Sequence, residues 1–473
     1  MRSGHWTGQA RRCSNARLSK TRGDMRDLTQ GAIWRHLAGM AAFMGAGMAV
    51  NALYLLIDLY FVSKLGKEAV AGVAAAGSAS FITMAIAQLV GVGSLSLISH
   101  AVGRKDQTDA QLVFEQALSM ALATTALFLL AGYGAGGWMV AHITADQATA
   151  DYARTYLYWF LPSLACIFLS AAMGSALRAS GVVGLQMGIA TASIVLNALL
   201  APVLISGFLT GLPLGVMGAG LASSIATVIG TAALAMVFNR YQTYMRLHTS
   251  LHFRWDVWKR ITGIGLPATG EFALIFITTI FTYWAIRGFG PQAQAGYGIG
   301  ARVMQAIFLP AMAISFAAGP IAGQNFGARN ASRVRDTFRH AAMMGAGIML
   351  ALTLLCHVAP HLLVAPFTND PAVVAVAVEF LRIVSWNFVA IGITFTASGM
   401  FQALGDTRPA LISSASRLLT YVVPAVWLSH QPWVSLRDFW YLSVGSTTLQ
   451  AVFSYALLRH QLHTKLRLFG APA

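Results

Sequence analysis

Charge is what this sequence has least of. Asp, Glu, Lys and Arg make up 10% of its 473 residues, against roughly a quarter in soluble domains. Only 16 residues are acidic, and 56% are hydrophobic, too little charge to coat a soluble protein of this length. Cysteine is nearly absent. Cys13, Cys166 and Cys356 lack metal-ligand spacing and make no disulfide framework. There is no Gly-Lys-Ser/Thr phosphate loop, no kinase or hydrolase signature and no metal-spaced histidine pair. Gly296-Tyr-Gly298-Ile-Gly300 lacks the strand–helix setting of a nucleotide site. These absences argue against an enzyme and against a bound cofactor. Residues 1–24 are polar and basic with no apolar run, so they do not read as a secretory signal peptide. A start at Met25 would lose none of the apolar part.

What the sequence does have is apolar runs, each about long enough to span a bilayer. Twelve are expected, at about 36–62, 70–102, 112–138, 152–177, 184–206, 215–239, 259–286, 293–325, 340–363, 374–401, 409–428 and 437–459. The chain also repeats itself at a step of 224 residues. Gly66 falls on Gly290, Gly103 on Gly327, Phe114 on Phe338, Leu157 on Leu381 and Gly181 on Gly405. Duplicated membrane halves make a two-lobed bundle with a site between lobes that rock against each other. The expected fold is therefore an all-α membrane protein, with twelve transmembrane helices in two pseudo-symmetric six-helix lobes. The longest runs, 70–102 and 293–325, match in position, and both are expected to tilt or bend.

The +16 net charge suits nucleic acid in amount but not in distribution. With the N-terminus inside, the inner segments hold 24 of the 32 Lys and Arg and the outer ones six. This is the positive-inside bias, and it places both termini on the cytoplasmic side of the plasma (inner) membrane. Expected partners are the lipid bilayer and a small-molecule substrate, not nucleic acid, and a monomer is expected. The divisions are a basic tail at 1–31, an N-lobe at 32–240, a linker at 241–256, a C-lobe at 257–460 and a tail at 461–473. Small residues in the spans suit close helix packing, with local flexing as the alternative. Pro267 and Pro310 lie in second-half spans where the first half has Phe43 and Ile86, marking bends the halves do not share.

Few residues can carry chemistry inside the spans. Asn51, Tyr54 and Asp58 share one helical face in the first span. A carboxylate in hydrocarbon is costly, so it faces a cavity and usually functions, here as a proton carrier. An interfacial Asp reaching the headgroups is the plainer alternative. The repeat partner of Asp58 is Thr282, uncharged, so coupling chemistry is asymmetric. Asn197 can hydrogen-bond a carboxyl or coordinate sodium, or it makes an interhelical hydrogen bond. Glu271 lies one turn past Pro267 and suits a cationic substrate. Arg302 balances Glu271 or lines the cavity. Glu379 and Arg382 pair with each other or reach water. The coupling residues are thus Asp58, Asn197 and Asn51, and the substrate cavity takes Tyr54, Glu271, Thr282 and Arg302. The 19 Met and 26 Phe suit an adaptable cavity, though a lipid-facing surface has the same composition.

Several stretches also carry a resemblance over residues 25–460. They are Asp27-Leu-Thr-Gln-Gly31, Leu56-Ile-Asp58-Leu-Tyr-Phe-Val-Ser-Lys-Leu-Gly66, Ala176-Leu-Arg-Ala-Ser-Gly181, Gly215-Val-Met-Gly218, Gly323-Gln-Asn-Phe-Gly327 and Phe401-Gln-Ala-Leu-Gly-Asp-Thr-Arg408. With twelve spans in register, the chain resembles the multidrug and toxic compound extrusion (MATE) transporters. The resemblance implies alternating access and export of organic cations, drugs or other amphipathic compounds against inward proton or sodium flow. It matches the key span-one acid to Asp58 and the span-five Asn to Asn197. The chain departs from the pattern at Ala201, where many relatives have an acid, at Phe43 in place of the span-one proline, and in span ten, where residues 386–401 contain no acid. Glu271 lies about one turn from the span-seven acid of several relatives. Without the acid at Ala201 sodium has few oxygen ligands, so a proton is favoured as coupling ion, with sodium as the alternative. Two other functions stay open: a flippase of lipid-linked oligosaccharide or other lipid from the same superfamily, and a membrane-embedded sensor.

Overall fold

The computed structural model describes residues 27–144, 146–208, 211–241, 244–247, 253–467 and 469, excluding the side chains of residues 53–59 and 241. The first half holds α1 (Ile33–Ser63), α2 (Lys67–Gly103), α3 (Gln107–Ile143), α4 (Gln147–Ala179), α5 (Val183–Ser206) and α6 (Gly215–Tyr241). The second holds α7 (Trp255–Ala285), α8 (Pro291–Gly327), α9 (Ala331–Val358), the short α10 (Pro360–Val364), α11 (Pro371–Val384), α12 (Phe388–Ala403), α13 (Arg408–Leu428) and α14 (Leu436–Arg467). A 3₁₀ turn at Ser385–Asn387 joins α11 to α12, so together they form one span. Among the described residues, ten spans are long and apolar enough to cross a bilayer by length and composition. With α1 and α14 they make the twelve-helix, two-lobed membrane fold. The hydropathy of α14 is diluted by a buried polar face that includes Ser446, Thr447, Gln450, Ser454 and Gln461. It also runs on to Arg467, past the point where the C-terminal tail is expected to begin.

The repeat extends to helix ends and caps. α2 and α8 begin and end at matching positions, and α4 matches the span formed by α11 and α12. Gly66 and Gly290, and Gly181 and Gly405, take positive φ in pairs, as do the non-glycine residues Lys105 and Arg329. Asp106 caps α3 by accepting the Asp109 amide, and Asn330 caps α9 by accepting that of Arg333. Asp146 and Asp370 do the same at α4 and α11. The Asp146 carboxyl accepts the Thr149 amide and hydroxyl, which holds it below the ordinary carboxylate value. Fixed caps set where each helix starts and so preserve the register of both halves.

Helix exchange binds the halves. α1 packs on α8 and α9 as well as on α5, and its counterpart α7 packs on α2 and α3 as well as on α13. Thus Leu37, Met40 and Met44 of α1 share a buried cluster with Ala313, Ala317 and Ile321 of α8. Val257, Ile261 and Ile264 of α7 join the cluster built on α2, α3 and α4. Large apolar side chains such as Leu130, Leu199 and Val358 face outward, as a bilayer environment allows.

Candidate functional site

The repeat-related helices α2 and α8, 37 residues each, meet at one end and part at the other. From Val90 to Gly103 every residue of α2 but His100 is buried, and its other half is mostly open. α8 repeats this, buried from Ala313 to Gly327 except at Phe316 and Phe326. At the closed end small residues bring backbones together. A Cβ on Gly103 would strike the Gln324 carbonyl, and one on Gly327 the His100 carbonyl. At the other end each helix turns to its own half. Gly72 of α2 lies against Tyr152 and Ala153, and Gly296 of α8 against Val376. The result is a cleft between the halves, sealed at one end.

Two hydrogen bonds related by the repeat complete the seal. His100 Nε2 meets the Ala403 carbonyl at 2.6 Å, and Gln324 Nε2 donates to the Ala179 carbonyl at 2.6 Å. A carbonyl only accepts, so the His100 ring carries its proton on Nε2. Residues 27–31, expected as tail, are instead part of this seal. Leu28 is fully buried and donates its amide to Gln324 Oε1 at 2.9 Å. Its carbonyl accepts from Asn325 Nδ2 and from Arg333, which also donates to the Gly31 carbonyl. Gln324 and Asn325 belong to Gly323-Gln-Asn-Phe-Gly327. That stretch stood out in the sequence, but its role needed the fold.

In the second half Glu271 is buried on α7 and accepts a 2.8 Å hydrogen bond from the Ser398 hydroxyl. Phe272, Ile275, Met312, Ser315, Phe395 and Gln402 line the recess around it. Small polar groups beside an acid inside an apolar wall suit a cationic, amphipathic guest. Arg302 is not Glu271's partner. It is exposed on α8, and no ion pair joins the two. Thr282 is buried on α7 and donates to the Thr278 carbonyl at 2.9 Å. Glu379 pairs with Arg437 and not with Arg382.

In the first half Asn197 is buried and donates through Nδ2 to Ser223 Oγ at 2.9 Å. Its Oδ1 has no partner among the described residues. Ala201 is buried in an apolar cluster one turn on. Asn51 is exposed on α1. The side chains of Tyr54 and Asp58 lie outside the described residues, while their backbone is helical within α1, which packs on α5. No group of His, Cys, Asp or Glu among the described residues is arranged to hold a metal ion.

The profile of the MatE family matches this chain twice, at residues 44–203 and 267–427. The chain belongs to the MatE family. The two matched segments are the two halves of the repeat. The chain is 24% identical over 438 residues to the multidrug export protein MepA of Staphylococcus haemolyticus strain JCSC1435, covering 92% of this chain and 95% of that protein. It is 25% identical over 424 residues to MepA of Staphylococcus aureus strain MRSA252, covering 89% and 92%. Among solved structures, it superposes at a TM-score of 0.86 on an outward-facing multidrug resistance MATE transporter of the MOP superfamily, with 23% identity, 93% of this chain and 98% of the other. It does so at 0.86 and 22% identity, with the same coverages, on a MOP superfamily transporter from Pyrococcus furiosus Vc1 whose reversed pocket polarity is said to suggest a different function. At these identities the superpositions speak for the fold. This MatE protein is a membrane transporter and not an enzyme.

Proposed function

We propose that this transporter exports amphipathic organic cations by alternating access, driven by inward ion flow. The observation that carries this is the cleft sealed at one end by repeat-related contacts, with the buried Glu271 in the wall of one half. A seal made of glycine contacts and a few hydrogen bonds can be broken and rebuilt at low cost, as rocking lobes require. The relatives' names as multidrug export proteins point the same way.

The sealed end is the cytoplasmic one on the 24-to-six charge distribution, which makes this the outward-open state. Both termini then lie inside, in the plasma membrane. A monomer suffices, since each chain carries both halves. The proton is the favoured coupling ion. Asp58 is the carrier, and Asn51 on α1 and Asn197 on α5 are assigned to the same coupling site. Buried Ala201 contributes no second carboxylate where a sodium ion would need oxygens. Tyr54 and Thr282 are assigned to the substrate cavity.

Inverted membrane vesicles test the reading. A fluorescent organic cation should accumulate when a proton gradient is imposed, at fixed pH with choline replacing sodium. Accumulation that needs sodium and persists after the proton gradient is discharged would overturn proton coupling. Accumulation in neither case would overturn export of cations. Thiol labelling checks orientation in the same membranes. Leu212→Cys should react from outside in intact cells, and Ala328→Cys only after permeabilisation.

A further inference from the structure

Beside the seal, four cations face one basin. Lys259 and Arg260 come from the start of α7, Arg408 from the start of α13 and Lys465 from the end of α14. With Leu97 of α2 and the turn at Gly405 they enclose about 460 Å³. Asp406 is the one carboxylate in the lining. It already accepts from Gln461 Nε2 at 2.9 Å and from the Arg408 amide at 3.3 Å. Lys465 is half-buried, and its Nζ donates to the Leu404 carbonyl at 2.7 Å. Arg260 stands 3.9 Å from Asp109, which Arg104 holds more closely at 2.7 Å. No carboxylate among the described residues lies within ion-pair distance of Lys259, Arg408 or Lys465.

A single basic residue at the end of a span reflects only the charge bias of the chain. This group goes further. The repeat does not supply it, since Arg408 and Lys465 fall on Gly184 and Tyr241 of the first half. The basin also has room, because a Cβ on Gly263, one turn past Lys259, would meet nothing within 4 Å. An apolar stripe leads away from it on each of two helices. On α7 the exposed Lys259, Leu266, Ala273 and Ile277 share one face, and Glu271 lies on another. On α13 the exposed Arg408, Ile412, Leu419 and Val423 share a face in the same way. Lys259 and Arg408 thus each stand at the end of an expected span, above apolar surface. Guanidinium groups bind phosphate oxygens through paired hydrogen bonds, and lysine adds a mobile point charge. Basic pockets of this kind between membrane helices hold lipid headgroups. A soluble phosphate would use the cations but not the stripes.

We infer that this basin binds the phosphate headgroup of an anionic phospholipid, with the acyl chains lying along the stripes of α7 and α13. The site is separate from the transport cleft and does not depend on the export reading. The test uses the purified full-length protein in mild detergent, with phosphatidylglycerol carrying a fluorophore on one acyl chain as the bound probe. Unlabelled phosphatidylglycerol should displace it about ten-fold more effectively than phosphatidylethanolamine with the same chains. Arg408→Gln and Lys465→Gln should each weaken phosphatidylglycerol about five-fold and leave phosphatidylethanolamine unchanged. Gly263→Leu keeps every charge but fills the basin, and it should weaken phosphatidylglycerol to a similar degree. Arg35→Gln, at the repeat counterpart of Lys259, should have no effect. No preference for phosphatidylglycerol, no loss from the three basin variants, or an equal loss from Arg35→Gln would overturn the site. Displacement by inorganic phosphate as strong as that by phosphatidylglycerol at equal concentration would assign the basin to a soluble anion and overturn the lipid.

Discussion

Glu271 and Asp58 sit in different halves, and the repeat gives neither an acidic counterpart. Glu271 falls on Gly47 of the first half, and Asp58 on Thr282 of the second. A buried carboxylate serves a transporter either by carrying a proton or by neutralising a bound cation. The positions suggest that the two acids divide these tasks. Asp58→Asn is expected to insert and fold normally and still bind a cationic dye, while gradient-driven export is abolished. Glu271→Gln is expected to weaken dye binding about ten-fold, or ~1.4 kcal/mol, with residual export still responding to the proton gradient. Equilibrium dye binding and vesicle transport on both variants separate these outcomes. Normal coupled export by Asp58→Asn would remove Asp58 from the coupling role. The acids and Asn197 were visible in the sequence because a polar residue in an apolar run has few reasons to be there. Their partners Ser398 and Ser223 were not, because serine in a span is common and its hydroxyl usually returns to its own helix, as Thr278 does. Arg302 and Arg417 are alike in sequence, each a lone cation within an expected span, at 293–325 and 409–428. Only packing shows one exposed on α8 and the other turned into the lobe.

At the scale of elements, the seal between α2 and α8 is the part of the fold most open to direct manipulation. Its hydrogen bonds come as a pair, His100 to Ala403 and Gln324 to Ala179, at positions one repeat apart. A single such bond contributes about 1 kcal/mol, or roughly five-fold in a two-state equilibrium. His100→Ala should therefore shift the population away from the sealed state by about that factor. His100→Gln should largely restore it, since glutamine already does this work at position 324. Protection of an introduced Ser96→Cys from a water-soluble thiol reagent reads the shift. Equal protection in wild type and His100→Ala would show that the hydrogen bond does not hold the seal. Helix number and the 224-residue repeat were legible from apolar runs and glycine spacing. The crossing of α1 and α7 into the opposite halves was not, because apolar helices carry no mark of which neighbour they pack on. The short α10 and the 3₁₀ break at Ser385–Asn387 were hidden for the same reason, inside continuous apolar sequence.

For the whole molecule, duplication sets the geometry and small asymmetries set the function. The family profile matches each half separately, and helix ends, caps and positive-φ residues recur in register. A pseudo-symmetric pair of lobes has two equivalent ways to close, one at each end of the cleft, and the proposed transport consists of exchanging them. Thr108 and Ser332 are exposed counterparts at the starts of α3 and α9, beside the seal. Spin labels at Thr108→Cys and Ser332→Cys, with Cys13, Cys166 and Cys356 replaced, report the separation of the halves there. Pulsed electron–electron resonance on the reconstituted protein should show two distances, the shorter from the sealed state described above. The longer should gain population with a change of pH and in the His100→Ala background. A single distance, unmoved by pH, by cationic substrate and by loss of the His100 hydrogen bond, would contradict alternating access by these two halves.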